Sequence, residues 1–150
     1  MNSSSANLEG EGLPSAGLIE PGRVAARFGE EIATSGFQPL PDVLLFNQAE
    51  LGVKSEDLNV LLNILAHWYL PDRMPYPRPH TIAKRMGVSL RTVQRSMTRL
   101  RRLGMIAKGA KNEDGRTAID VTPLLDKLRP YAKKRRAERT AAASGLFGVA

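Results

Sequence analysis

The apolar positions of residues 89–103 repeat at helical spacing. Val93, Met97 and Leu100 follow one another at intervals of four and three residues. This period places the apolar side chains on one face of a helix and leaves the polar side chains on the other. Ser89 supplies a hydroxyl that suits the N-cap of that helix. The pattern therefore predicts an amphipathic helix over residues 89–103.

A shorter helix is predicted in front of this one, with a tight turn between them. Gly87 lies where a residue without a β-carbon can adopt the left-handed conformation that ends a helix. Only Val88 separates it from the capping Ser89, so the chain must reverse sharply. Ala83 is small enough to let the two helices cross closely. Residues 79–106 are therefore predicted to form a helix-turn-helix pair.

Two more helices are predicted in the first half of the chain. Leu58, Leu65 and Tyr69 share one face of the main core helix, and the hydroxyl of Ser55 suits its N-cap. Apolar residues spaced by four predict a short helix within residues 22–35; they are Val24, Phe28 and Ile32. That short helix is expected either to dock on a neighbouring subunit or to fold back on its own domain.

A β-hairpin and a last helix are predicted after the helix-turn-helix pair. Residues 105–110 and 117–121 can pair as strands, with the Asp-Gly sequence at 114–115 as the reversal. Thr122 suits the N-cap of the following helix. Pro130 is expected to kink that helix or to restart it, because proline cannot donate a backbone hydrogen bond.

The charge is divided unevenly along the chain. The 150 residues carry a formal net charge of +7, and 42% hydrophobic content is enough for one domain with a core. Residues 1–75 hold 4 Lys and Arg against 10 Asp and Glu, whereas residues 76–150 hold 18 against 5. A polyanion is therefore the expected partner of the second half.

The polar face of the helix over residues 89–103 carries side chains that suit the edges of DNA bases. Arginine can donate two hydrogen bonds to guanine, glutamine can pair with adenine, and the methyl group of threonine can contact thymine. The predicted base-reading residues are Arg91, Thr92, Gln94, Arg95 and Thr98.

A second set of residues is predicted to contact phosphates, which position a protein without specifying its sequence. These residues lie at the ends of the two helices and on the flanks of the hairpin. The tip of the hairpin is left out because Glu113 and Asp114 would repel phosphates there. They are Arg78, Lys84, Arg85, Ser89, Arg99, Arg102, Lys108, Lys111 and Arg116.

The motif as a whole resembles the winged helix-turn-helix domain, in the version found in plasmid and phage replication proteins and related bacterial regulators. The resemblance covers roughly residues 37–128. Its residues are Ile82-Ala83, Gly87-Val88-Ser89, Thr92-Val93, Arg95, Leu100 and Leu103-Gly104-Met105-Ile106. It implies a mainly α fold with a small β-hairpin wing. It also implies a recognition helix near residues 89–103.

Three segments are predicted from these patterns. Residues 1–36 form a flexible tail with a short helical arm, because the first part is rich in Ser, Gly, Glu and Pro. Residues 37–129 form the winged helix-turn-helix domain. Residues 130–150 form a basic helical extension followed by a loose tail from residue 140.

The apolar seam of the last helix has two interpretations. It either closes the core of the domain or forms half of a homodimer interface; its candidate contact residues are Leu124, Leu128 and Tyr131. Two copies on a palindrome would need half-sites about 34 Å apart. The basic residues that follow the seam are expected to approach the DNA backbone, with a solvated tail as the alternative.

Several classes of function find no support in the sequence. There is no cysteine, so disulfides and thiolate metal sites are excluded. No metal ligand set, cofactor motif or catalytic constellation is recognisable, and His67 beside an aromatic residue is more typical of packing. The first residues do not resemble a secretory signal, and no apolar run approaches the roughly 20 residues that span a bilayer. We therefore expect a cytoplasmic, non-enzymatic protein.

The sequence favours a protein that binds double-stranded DNA as a transcriptional regulator of a mobile element or operon. One alternative is a plasmid or phage replication-origin binder, which would meet the replication machinery rather than the transcription machinery. An alternative of another class is a protein-interaction adaptor that uses the acidic first half. The DNA site, the direction of regulation, the oligomeric state and any ligand are not encoded in recognisable form.

Overall fold

The computed structural model describes residues 21–147. Residues 1–20, which make up most of the predicted flexible tail, and residues 148–150 lie outside the described part. The elements in chain order are α1 (Pro21–Phe28), α2 (Glu30–Ser35), α3 (Asp42–Phe46), α4 (Ser55–Leu65), α5 (Pro79–Met86), α6 (Leu90–Arg102), β1 (Ala107–Lys111), β2 (Thr117–Asp120) and α7 (Thr122–Phe147). Residues 21–147 are thus mainly helical, with one two-stranded antiparallel sheet, as the mainly α prediction with a hairpin required.

The predicted short helix near the start of the chain is divided in two. Gly29, with φ of 87°, separates α1 from α2. Val24 is buried, but Phe28 and Ile32 are 53% and 58% exposed. The row of apolar residues spaced by four therefore does not form one continuous packed face.

The core lies between α4, α5 and α6 and extends to the hairpin and the start of α7. Apolar side chains from each of these elements are fully buried, among them Leu61, Ile82, Leu100 and Leu124. Burying a side chain of this size stabilises the fold by about 1.5–3 kcal/mol. The packed helices thereby hold one face of α6 firmly inside the domain.

Two details of the main core helix differ from the prediction. Ser55 is the first helical residue of α4, and the N-cap position belongs to Lys54, which makes no capping side-chain hydrogen bond. The helix ends at Leu65, so Tyr69 falls outside it and is exposed. The apolar pattern of the sequence therefore continues past the end of the helix.

The hairpin closely follows its predicted limits. β1 and β2 pair with Lys108 opposite Ile119, and an irregularity separates that pair from Lys111 opposite Thr117. Gly115, with φ of 78°, forms the reversal.

The free edge of β2 contacts the proline-rich segment between α4 and α5. The backbone N–H of Ile119 donates a hydrogen bond of 2.9 Å to the carbonyl oxygen of Pro75. Pro75 and Pro77 are both buried. Prolines have no backbone N–H to donate, but their carbonyl oxygens can accept hydrogen bonds. The bond to Pro75 therefore fixes the hairpin to the rest of the domain.

The last helix is longer than predicted and is not interrupted at Pro130. α7 continues through Pro130, and residues 140–147 are helical, so the predicted loose tail is wrong for this stretch. Pro130 and Asp126 are both exposed, which lets water hydrate the carbonyl that the proline leaves without a helical partner. The N–H of Thr122 donates to the carboxylate of Asp120 at 2.9 Å, so Asp120 assists at the start of this helix.

Candidate nucleic-acid interface

The turn between α5 and α6 has the predicted geometry. Gly87 adopts the left-handed conformation, with φ of 66° and ψ of 33°. The N–H of Val88 donates to the carbonyl of Ala83 at 3.1 Å and so ends α5. The hydroxyl of Ser89 accepts the N–H of Thr92 at 3.1 Å and caps α6. These local bonds fix the direction in which α6 leaves the turn.

The two faces of α6 differ as the sequence predicts. Val93, Met97 and Leu100 are buried on the inner face. The outer face is lined by basic and polar side chains around a shallow hollow of about 410 Å³; they are Arg91, Gln94, Arg95, Thr98, Arg99 and Arg102. All of them except Arg99 are exposed. The structure therefore brings most of the predicted base-reading residues together on one surface.

The two threonines of this set use their hydroxyl groups inside the helix. The hydroxyl of Thr98 donates to the carbonyl of Gln94 at 3.0 Å. Thr92 is half-buried, and its hydroxyl lies 2.9 Å from that of Ser89. The methyl groups therefore remain the more suitable part of both side chains for contact with a base.

Arg99 is partly buried and pairs with acidic residues of α4. Its Nε donates to Oδ1 of Asp57 at 2.9 Å, and one Nη donates to Glu56 at 3.2 Å and to Ser96 at 3.1 Å. Arg99, at the edge of α6, thus pairs with acids of α4, and its phosphate-contact role remains a prediction. Nothing in the local pattern distinguishes it from its neighbours, because its partners are about 40 residues away.

The electrostatics of this group favour the charged form of both partners. Burial alone would raise the pKa of Asp57, but hydrogen bonds from Arg99 and Ser96 and the charge of Arg99 outweigh it and lower the pKa. The hydrogen bond to Asp57 raises the pKa of Arg99 further. Both side chains are therefore charged at neutral pH, and they form a partly buried salt bridge.

Arg85 contacts two residues of the chain segment around the end of α4. Its Nη1 lies 3.0 Å from Nε2 of His67 and 3.5 Å from the amide oxygen of Asn63. Burial lowers the pKa of His67, and the charge of Arg85 lowers it further. Arg85 is exposed, so it remains accessible at the surface of α5.

The other predicted phosphate-contact residues are distributed over separate parts of the surface. Arg78 occupies the N-cap position of α5, and Lys84 lies in the last turn of that helix. The exposed cations of the hairpin are Lys108, Lys111 and Arg116. Ser89 uses its hydroxyl as the cap of α6. No phosphate-contact assignment is tested by the geometry alone, and these roles remain predictions.

The candidate dimer residues lie mainly inside the domain. Leu124 and Leu128 belong to the core of the single chain, and Tyr131 is half-buried against it. This placement corrects the assignment of the two leucines to a dimer surface, because the seam of α7 closes the domain instead. It leaves the oligomeric state itself untested.

Comparison with family models gives one decisive result. The model of the DnaD N-terminal domain matches residues 40–139, which is two thirds of the chain. The chain belongs to this family. The family relates to the initiation of DNA replication, which favours the replication alternative over transcriptional regulation.

A solved structure agrees with the family assignment. The N-terminal domain of the DnaD protein from Geobacillus kaustophilus HTA426 is 26% identical to this chain, with a TM-score of 0.54. The match covers 82% of this chain and 99% of the Geobacillus domain. The comparison with curated proteins found no match.

Two further searches concern the described residues only. No helix within residues 21–147 has the length and apolar character needed to cross a membrane. The same part of the chain contains no group of three or more His, Asp or Glu side chains arranged to hold a metal ion.

Proposed function

We propose that this chain binds double-stranded DNA during the initiation of replication, as a winged helix-turn-helix module. α5 and α6 supply the helix-turn-helix, and the β1–β2 hairpin supplies the wing. The family relationship supports the replication role. The single observation that carries the DNA-binding role is the exposed face of α6, whose basic and polar side chains are clustered opposite a fully buried face.

The proposed binding mode inserts α6 into the major groove. That groove admits a helix, and each base pair there presents a distinct pattern of donors and acceptors. Arg91, Gln94 and Arg95 would read base edges, and the methyl groups of Thr92 and Thr98 would contact thymine. The exposed cations of α5 and the hairpin would bind phosphates on either side.

A direct test compares three labelled duplexes by fluorescence anisotropy. One comes from the replication origin of the source replicon, one from a promoter of the same replicon, and one has the origin sequence scrambled. Preference for the origin duplex, with affinity that falls steeply with salt, is the expected result. Preference for the promoter would restore the regulator hypothesis. Equal affinity for all three would contradict specific recognition.

A second candidate function, protein interaction, is favoured by an apolar groove on another part of the surface. The groove has a volume of about 360 Å³ and lies between the α2–α3 connection, the end of α4 and α7. Trp68, Tyr69 and Leu125 are among its lining residues. Measurable DNA affinity that is insensitive to salt, or no DNA affinity at all, would favour this function over DNA reading.

A further inference from the structure

A hydrogen-bonded bridge joins the start of α4 to the edge of the recognition face of α6. Asp57 and Glu56 lie in the first turn of α4, whereas Ser96 and Arg99 lie one turn apart on α6. Besides the bonds of Arg99, the hydroxyl of Ser96 donates to Glu56 at 3.3 Å. The shortest contact, 2.7 Å, joins one Nη of Arg99 to Oδ1 of Asp57.

The anchor of this bridge is buried and its other end reaches the surface. The side chain of Asp57 is 1% exposed, whereas that of Arg99 is 32% exposed and borders the hollow on the outer face of α6. The backbone of Lys54, the N-cap residue of α4, also favours the charged form of the Asp57 carboxylate and so lowers its pKa. The carboxylate is therefore held by its own helix and presents a fixed acceptor to α6.

The bridge adds a directional restraint on the rotation of α6 about its own axis to the restraint from apolar packing. Apolar contacts are non-directional, but the planar guanidinium donates two bonds to one oxygen of fixed position. Arg95 and Arg102 lie four residues before and three residues after Arg99, on the same side of the helix. A rotation that broke the bridge would move both of them.

We infer that Asp57 is a positioning residue for DNA recognition, acting through Arg99 to orient the base-reading face of α6. The inference rests on the proposed function. A base contact tolerates little displacement, because hydrogen bonds need a donor–acceptor distance of about 2.7–3.2 Å and weaken steeply when the angle at the hydrogen falls below about 120°. Asp57 thus determines specificity without contacting DNA.

The test uses the full chain and two variants of the bridge. Asp57→Asn removes the charge of the anchor, and Arg99→Lys keeps the positive charge but loses the planar fork. The matched controls are Asp126→Asn and Arg129→Lys, because Asp126 and Arg129 form an exposed ion pair within α7. Circular dichroism establishes that each protein is folded at the temperature of the titration.

The probe is a labelled duplex that the wild-type protein selects from a library with a random core of about 20 base pairs, two turns of the helix. A scrambled duplex of the same composition measures non-specific binding. The measured quantities are the ratio of the two dissociation constants and the slope of log K against log salt.

The expected result is a fall of about tenfold in the specificity ratio for both bridge variants, as for the loss of one well-placed base contact. The salt slope should stay unchanged, because no phosphate contact is removed. The controls should keep the wild-type ratio.

Two other results have distinct meanings. If the wild-type protein prefers the selected duplex and both bridge variants keep that preference, the positioning inference is wrong while the proposed function stands. If the wild-type protein prefers no duplex, the proposed function is wrong and the inference fails with it. Equal losses on both duplexes for Arg99→Lys would return Arg99 to the phosphate-contact role.

Discussion

Arg95 and Arg99 lie one helical turn apart on α6 and have different surroundings. Arg95 is exposed on the outer face, whereas Arg99 is tied to Asp57 and Glu56. The sequence around them predicts similar roles, because helical spacing reveals which side of a helix a residue occupies but not which distant residue it meets. Helical spacing alone therefore does not distinguish an edge residue that faces solvent from one that pairs with another element.

The first prediction concerns Arg95. Replacing Arg95 by Ala should weaken binding to a specific duplex by about 1–3 kcal/mol if the guanidinium makes a bidentate base contact. Binding to a scrambled duplex should change much less. Anisotropy titrations of both duplexes measure the two losses, and Arg129→Ala serves as a control that removes the same charge from the exposed face of α7. Equal losses on both duplexes would assign Arg95 to the backbone.

The second prediction concerns stability and Asp57. Asp57→Asn should lower the free energy of unfolding by about 1–3 kcal/mol, because it replaces charge-assisted hydrogen bonds with weaker ones. The loss should stay below the largest values for broken buried pairs, since water can reach the partly exposed Arg99. Urea denaturation measures it. Asp126→Asn, at a side chain 62% exposed, should change stability by less than about 0.5 kcal/mol.

The third prediction concerns pH and His67. Because the folded state lowers the pKa of His67, the unfolded chain takes up the proton first as pH falls below about 6.5. The contribution of His67 to stability should therefore be constant above that pH and should decrease below it. His67→Gln should remove this part of the pH dependence below about pH 6.5. Identical profiles for the two proteins would contradict the assignment.

At the scale of whole elements, the strongest local patterns predicted the structure well. The amphipathic helix expected over residues 89–103 is observed as Leu90–Arg102 between its capping residues. The hairpin, the reversal at Gly115 and the left-handed Gly87 also follow from short stretches of sequence. These features depend on residues close together in the chain, which is why periodicity and turn chemistry reveal them.

Features that depend on distant residues or on solvent were not predicted. The bridge from Asp57 to Arg99 joins residues 42 positions apart. α7 continues through the exposed Pro130, although proline usually kinks or ends a helix. The role of Leu124 and Leu128 in the core could be weighed against a dimer interface only once their neighbours were known. Tertiary packing decides each of these cases.

The fourth prediction belongs to the turn between α5 and α6. Gly87→Ala should destabilise the fold by about 1–2 kcal/mol, because an L residue is strained in the left-handed conformation. An added β-carbon would meet no atom within 4 Å, so the cost is conformational rather than steric. The matched variant Gly145→Ala, in helical backbone, should cause no loss. Thermal unfolding of both variants distinguishes strain at the turn from a general effect of alanine.

At the scale of the whole molecule, some of the acidic residues of the first half form ion pairs with basic residues of the second half. The acids of α4 bind Arg99, and Asp42 of α3 lies 3.3 Å from Arg135 of α7. Both contacts join the acidic first half of the chain to the basic second half. The second half carries a formal charge of +13 and the first half −6, which together give the net charge of +7.

The fifth prediction follows from that positive charge. If α6, α5 and the hairpin neutralise about six phosphates, DNA affinity should fall by roughly a thousandfold between about 50 and 200 mM salt. Titrations at four salt concentrations give the slope directly. Lys108→Gln should reduce the slope by about one ion if that side chain contacts a phosphate. An unchanged slope would remove the hairpin flank from the interface.

The backbone hydrogen bond between Ile119 and Pro75 also affects the tendency of this protein to aggregate. A strand with an open edge can recruit a strand from a second molecule and so begin aggregation. Here the proline-rich segment occupies part of the free edge of β2, and it offers few N–H groups of its own for further pairing. On the opposite edge, β1 carries the exposed cations Lys108 and Lys111 and an irregular register. The small sheet is thereby protected against edge-to-edge association at both sides.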